Sequence, residues 1–398
     1  MSHEHPEVRS DRRTRLLLAA VLVPAFLATV IGVLVLHTDG DDQPRLQTTA
    51  PGSSVIEVTV TDVDPDATAM AQLDARTDDG DEVEVHAPPE YLPELAAGDR
   101  IRVIVLPVAD VAGAPPGAPT HVFVDFVRGP PMLLLAGLMV GLVVAVARLR
   151  GAAALAGLAL SLAGVAWFTL PALLAGQPAG LVAVVSASAI MFVVLYLVHG
   201  PSARTSTALV GTLVGILLTA GIGAWATGAA HLTGLSGESS LDLIQLAPDM
   251  SLQGVLLCGL VLAGLGVLND VTITQASAVW ELRAASPTAT RREIFGRAMR
   301  IGRDHIASTV YTIAFAYVGA ALPLVLLVAM SDRAVLDVLG AGEVAEEVVR
   351  TLVGSIGLVL AIPATTALGA LVAGPGSLAH VGEDVPVPAE REAAATAS

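Results

Sequence analysis

Long apolar runs alternate with short polar stretches along this chain, and eight of those runs could cross a bilayer as helices: 16–36, 132–147, 152–174, 181–198, 205–227, 252–272, 306–330 and 352–373. A helix needs roughly 20 mostly apolar residues to cross about 30 Å of hydrocarbon. The second run is short, and Pro130-Pro131 sets its start. The first follows Arg12, Arg13 and Arg15. It exceeds the apolar core of a secretory signal and no small-x-small cleavage site closes it, so it reads as an uncleaved anchor.

Between the first two runs the pattern changes to β. Segments 54–61, 81–87, 99–108 and 121–127 alternate or cluster β-branched residues between turn signals. Asp79-Gly80 is a hairpin signal, and Gly98-Asp99 opens a strand. Four or five short strands in this space predict a small barrel or sandwich, OB-like in size. Residues 37–54 read as a linker, 111–119 as a Pro/Gly loop and the tail from Gly382 as disordered.

Composition supports the membrane reading. Of 398 residues, 54% are hydrophobic and 15% charged, with a mean hydropathy of +0.71. A soluble chain is about 25% charged, so a soluble enzyme of one or two domains is excluded. All 21 basic residues are Arg, and the lone Cys258 forms no internal disulfide.

Charge gives the orientation. With the N-terminus inside, the cytoplasmic segments hold fourteen Arg, among them Arg148, Arg150, Arg204, Arg283, Arg291, Arg292, Arg297, Arg300 and Arg303. The short outer loops hold two, Arg333 and Arg350. The positive-inside rule then places both termini in the cytoplasm. Residues 37–130 carry 18 Asp/Glu against 5 Arg, so the formal −16 of the chain belongs mostly to this outer domain. Nucleic-acid binding gains no support from that distribution.

The expected division is a cytoplasmic N-terminus 1–15, an anchor 16–36, an extracytoplasmic acidic β domain 37–130, a seven-helix bundle 131–374 and a cytoplasmic tail 375–398.

Two spans are not bland. Asp270, Thr274, Ser277 and Glu281 recur at i, i+4, i+7 and i+11 along the sixth, with Asn269 and Thr272 beside them. Counted from Leu252, Asp270 falls near the inner boundary of the hydrocarbon, and Trp280 reads as an interfacial anchor. In the seventh, Asp304, Ser308 and Tyr311 share one face, and His305, Thr309 and Thr312 the adjoining one. An ion-paired cluster of Asp270, Arg300, Arg303, Asp304 and His305 is geometrically open to the chain. Such a cluster suits proton handling, since imidazole is the side chain that titrates near neutrality. The bland alternative is that charges at a span's start meet headgroups, while Ser and Thr serve as packing glue.

Gly266-Val-Leu-Asn-Asp-Val-Thr-Ile-Thr-Gln-Ala-Ser277 and Ala298-Met-Arg-Ile-Gly-Arg-Asp-His-Ile-Ala-Ser-Thr-Val-Tyr-Thr312 resemble the signature of the YibE/F-like family of bacterial multipass membrane proteins. Ala314–Pro323, Leu352–Leu358 and Pro363–Thr366 fit the same pattern, as do Gly98–Val103 and Asp125–Arg128 in the outer domain. The resemblance implies an integral inner-membrane protein with an extracytoplasmic β domain, and it carries over no catalytic residues.

Other candidates are weaker. Gly137-x3-Gly141 and Gly211-x3-Gly215 allow close helix approach. Pro323 and Pro363 can kink the last two spans. His3, Glu4 and His5, or the alternating Asp62, Asp64 and Asp66, could touch a metal, though neither has ligand spacing. Glu346 and Arg350 form an i, i+4 pair. Signatures of hydrolases, metalloenzymes and nucleotide-binding loops are absent, and Ser308 with His305 is the nearest approach to a nucleophile and base.

The expectation is therefore an α-helical polytopic membrane protein, not an enzyme, with no cofactor and no metal. Its first reading is a permease moving a small solute or ion with proton coupling, its candidate path being Asn269, Asp270, Thr274, Ser277, Arg303, Asp304, His305 and Ser308. The alternative is a scaffold or accessory subunit whose outer β domain binds a protein partner. Either way the lipid bilayer is its surroundings.

Overall fold

A computed structural model describes residues 12–38, 51–63, 71–107, 120–236, 238–332 and 334–373. The N-terminal His3, Glu4 and His5, Asp64 and Asp66, the 111–119 loop and the tail lie outside these residues, as does most of the 37–54 linker. The chain forms two compact units, Arg45–Gly151 and Met1–Pro44 with Ala152–Ser398.

The first unit holds five strands: β1 (Ser54–Val63), β2 (Ala71–Thr77), β3 (Glu82–Ala87), β4 (Arg100–Val105) and β5 (His121–Phe126). They close in the order β1-β2-β3-β5-β4, with β3 and β5 parallel and every other pair antiparallel. Closure rests on β1, long enough at ten residues to pair with β4 through its first half and β2 through its second. The inward residues Val58, Val60, Leu73, Val85, Ile101, Val103 and Phe123 fill the centre. Of the barrel or sandwich that the strand signals predict, the chain forms a closed five-stranded barrel.

One strand was hidden from the sequence. Leu73 and Ala75 point inward from β2, and the polar residues between and after them give little β signal. The expected turns are present: Gly80 has φ 96° and Gly98 φ 99°, left-handed positions that suit glycine. Gly98 N donates to Val60 O at 2.8 Å. Past β5, Arg128 donates to both oxygens of Asp125 at 2.6 Å, and these bonds hold that carboxyl below its usual range.

The helical elements are α1 (Arg12–Leu36), α2 (Gly129–Gly164), α3 (Leu170–Leu174), α4 (Ala179–His199), α5 (Ala203–Ala229), α6 (Glu238–Leu246), α7 (Leu252–Ala285), α8 (Arg291–Ala320), α9 (Leu322–Ala329), α10 (Val335–Leu339) and α11 (Gly342–Val372). A π turn, Val165–Thr169, joins α2 to α3. Among the described residues six helical stretches are long and apolar enough to cross a membrane, and a seventh arises if α8 and α9, bent by 76°, count as one. The stretch Gly129–Leu174 divides at Arg148, whose φ of 54° and ψ of −132° are not helical.

In the second unit α5 lies at the centre, packed on α11, α7, α4 and α1. Its cohesion comes from notches. Gly211 of α5 faces Thr365 of α11, and Gly357 of α11 faces Thr219 of α5, each so closely that a Cβ on the glycine would clash. Midway, a Cβ on Gly215 would lie 3.2 Å from that of Ala361. Small residues every fourth position on both helices (211, 215 and 219; 357, 361 and 365) thus interlock antiparallel. The expected Gly211-x3-Gly215 contact is this one. Gly137 and Gly141 have nothing within 4 Å in their own unit. At the α1 side, Leu18, Leu22 and Thr29 are buried, and Thr14 Oγ1 donates to Val372 O at 2.9 Å.

Gly357→Ala should therefore destabilise the helical unit by about 1–3 kcal/mol through overpacking. Gly259→Ala, where nothing lies within 4 Å, should not. Thermal denaturation of the detergent-solubilised protein checks the contrast.

Candidate functional site

The site begins at the inward face of α7. Leu268, Thr272, Gln275, Val279 and Arg283 recur at helical spacing and are all buried. Thr272 Oγ1 lies 2.6 Å from Thr212 Oγ1 of α5, and Thr366 Oγ1 of α11 donates to Gln275 Oε1 at 3.0 Å. Gln275 also occupies a notch on α8: a Cβ on Gly302 would stand 3.1 Å from its Nε2 and 2.8 Å from Ile362 Cγ2. That notch fixes the register of α8 against α7.

One turn beyond Gly302 comes His305. Its Nε2 stands 3.6 Å from Asp270 Oδ2, an ion-pair distance longer than a hydrogen bond. The imidazole is one-quarter exposed and the carboxylate two-thirds exposed within the single chain. Asn269 Oδ1, on the residue before Asp270, is buried without a hydrogen-bond partner. A carboxylate and an imidazole this close can exchange a proton after a small approach.

Of the expected cluster, only Asp270 and His305 come together. Arg300, Arg303 and Asp304 are exposed and make no ion pair among the described residues. Ser308 is exposed, while Thr274 and Ser277 are half-buried. The chosen stripe on α7 thus lies on its outer side. The inner side carries Thr272, Gln275 and Arg283, a pattern disguised by the apolar residues between them. Thr309 is the buried member of the second α8 face, its hydroxyl turned back to His305 O at 2.8 Å.

One further reading changes. Trp280 is not an anchor at an edge: it is 6% exposed, packed in a cluster with Ala289, Ile294 and Ala298. Asp270 lies well inside α7. Arg283 marks the end of the bundle, because its Nε donates to Ala373 O, just past α11, at 2.7 Å. At 1.5 Å per residue, Asp270 lies about 20 Å along α7 from that level.

Arg283 itself went unrecognised as a structural residue. Fully buried, it also donates to Ala289 O at 2.6 Å and to Pro287 O at 3.4 Å. It ties the α7–α8 connection to the end of α11, while Thr290 and Glu293 cap α8 reciprocally.

At the opposite end of the bundle, Pro323 follows the break between α8 and α9. A cleft of about 500 Å³ opens there, lined by Ala320, Pro323, Glu343, Glu346, Glu347 and Arg350. Arg350 pairs with Glu347 at 3.3 Å rather than with Glu346, which accepts from Ser236 Oγ at 2.9 Å. Pro363, by contrast, lies inside the continuous α11.

Replacing Arg283 with Met should strip charged hydrogen bonds from buried carbonyls, costing about 1.5–3 kcal/mol each. Limited proteolysis should then cut at 286–290, whereas Arg291→Met, at an exposed position, should leave the cleavage pattern unchanged.

No curated protein and no solved structure matches the chain. The model of the YibE/F-like protein family matches residues 135–375, which take in the Asp270–His305 pair and the α8–α9 cleft but not the barrel. With well over half of its length matched, the chain belongs to the YibE/F-like family.

Proposed function

We propose that this is a multipass protein of the bacterial cytoplasmic membrane that acts as a permease for a small solute or ion, with proton coupling through Asp270 and His305. The reading counts eight crossings by taking Gly129–Leu174 as two spans divided at Arg148 and α8 with α9 as one, and the long apolar stretches support it. The arginine asymmetry puts both termini and the Arg283 end in the cytoplasm, and the acidic barrel outside.

The break between α8 and α9 carries the transport reading. Backbone freed by such a bend finds no partner in lipid, so broken helices persist where they line a cavity. This one borders a cleft with three carboxylates and one guanidinium. The excess negative charge favours a cation. His305 lies on the same helix, about 22 Å from the break at 1.5 Å per residue. The end of α8 thus borders the cleft whose carboxylates come from α11, and the same helix carries His305 opposite Asp270 of α7.

A second reading rests on the barrel, a unit with its own closed core. As a binding module it would recruit a protein partner, and the helices would serve as its scaffold.

Flux into proteoliposomes holding a pH-sensitive dye, under imposed cation gradients, separates the two. The permease reading expects protein-dependent proton movement that Asp270→Asn loses at an unchanged melting temperature. Flux that is absent in the wild type, or equal in Asp270→Asn, contradicts it. A co-purifying partner lost on deleting 54–127 would then favour the scaffold.

A further inference from the structure

The hydrogen bonds of Arg283 leave one part of its side chain unused. Nε donates to Ala373 O and Nη1 to the carbonyls of Pro287 and Ala289, but Nη2 is buried without a hydrogen-bond partner. Nη2 shares one edge of the planar fork with Nε and the other with Nη1. Its hydrogens therefore point into the corner between Ala373, just past α11, and Ala289, just before α8. A buried donor left unpaired is costly, and so is a buried cation with no anion beside it. Among the described residues no carboxylate pairs with Arg283. Glu281 is exposed, and the Glu293 carboxylate is occupied by Thr290, accepting from its N at 2.7 Å and its Oγ1 at 3.0 Å.

Positive charge gathers at the same corner. Two residues past Ala289, α8 begins with Arg291 and Arg292, both exposed, and the charge of Arg291 acts on Arg283. The first-turn N–H groups of Arg291 and Arg292 have no carbonyl one turn behind them, and they form the positive end of a 30-residue helix. Pro287, Thr288 and Thr290 are exposed, so the corner lies just beneath the surface. The bond from Thr14 Oγ1 to Val372 O brings Arg12 and Arg13 to this end as well.

We propose that this corner is a binding site for a phosphate group, held by Arg283 Nη2, the Arg291 guanidinium and the first turn of α8. The tetrahedral oxygens of phosphate can meet two guanidiniums and backbone N–H groups at once, which the two oxygens of a carboxylate cannot. Headgroup-facing arginines follow from orientation alone, but a buried fork with an unused donor asks for an oxygen at a fixed place. The phosphate comes from an anionic lipid of the cytoplasmic leaflet or from free phosphate. The lipid source rests on the membrane reading above, and neither source rests on transport. Once bound, the group joins α11, the α7–α8 connection and α8 at one point, and so steadies the two helices that carry Asp270 and His305.

The test uses the purified full chain in a neutral detergent. The probes are dioctanoyl phosphatidylglycerol, inorganic phosphate and, as a control without phosphate, dioctanoylglycerol. A phosphate-bearing probe should raise the melting temperature saturably and slow hydrogen exchange in residues 283–294, and the control should do neither. Stabilisation by the lipid alone assigns the site to a headgroup; stabilisation by inorganic phosphate assigns it to the free ion. Arg291→Gln should weaken binding about tenfold, the weight of one charge-assisted hydrogen bond, with each variant compared to its own unliganded melting temperature. Arg300→Gln, at an exposed position further along α8, should leave the affinity unchanged. No saturable effect of either phosphate probe overturns the proposal. So does equal weakening by the two variants, because binding would then be diffuse charge attraction. Flux without phosphate binding defeats only this inference, and binding without flux defeats only the permease.

Discussion

The helical unit depends on the reciprocal seating of two threonines in two glycine notches. Thr365 lies against Gly211 and Thr219 against Gly357, so α5 and α11 approach closely at two points two turns apart. A helix pair in lipid has no water to expel, and its cohesion comes from packing and hydrogen bonds. Glycine supplies the first by removing side-chain bulk. Thr212 and Thr366 then supply the second, each reaching across to α7. Thr212, Thr219, Thr365 and Thr366, with Gly211, Gly215, Gly357 and Ala361, thereby fix three helices against one another.

Everything at the candidate site follows from that frame. Gln275 is held by Thr366 and rests in the Gly302 notch. Residue 302 sets the register of α8, and residue 305 is then the one that faces Asp270. Arg283 locks the same hairpin at its other end through Ala373 and Ala289. The cleft beside the α8–α9 break lies along the same helix. In the proposed permease, a shift of α8 would act on both the acidic cleft and the carboxylate–imidazole pair.

Much of the fold was legible in the sequence because hydropathy and turn chemistry are local. The long apolar helices, the Asp79-Gly80 hairpin and the break near Pro323 all follow from such signals. β2 did not, because Leu73 and Ala75, its inward residues in the core, are separated by polar ones. The site was half legible. Asp270 and His305 stood out as rare residues in apolar surroundings, and they meet. Arg303, Asp304 and Ser308 stood out equally and do not join them, because polarity marks a stripe without saying which way it faces. The inward face of α7 was readable only through the period of Thr272, Gln275 and Arg283. Arg283 was masked by the arginines around it, since charge counting treats a buried cap and a headgroup anchor alike.

The most direct test of this account is a double-mutant cycle between Thr219 and Gly357. If the notch holds the helices, Gly357→Ala and Thr219→Ala are coupled: removing the threonine's bulk makes room for the added methyl. The double variant should melt well above the temperature expected from adding the two single losses. Strict additivity would contradict the account, because it would mean that the two residues do not share a contact on which the bundle depends.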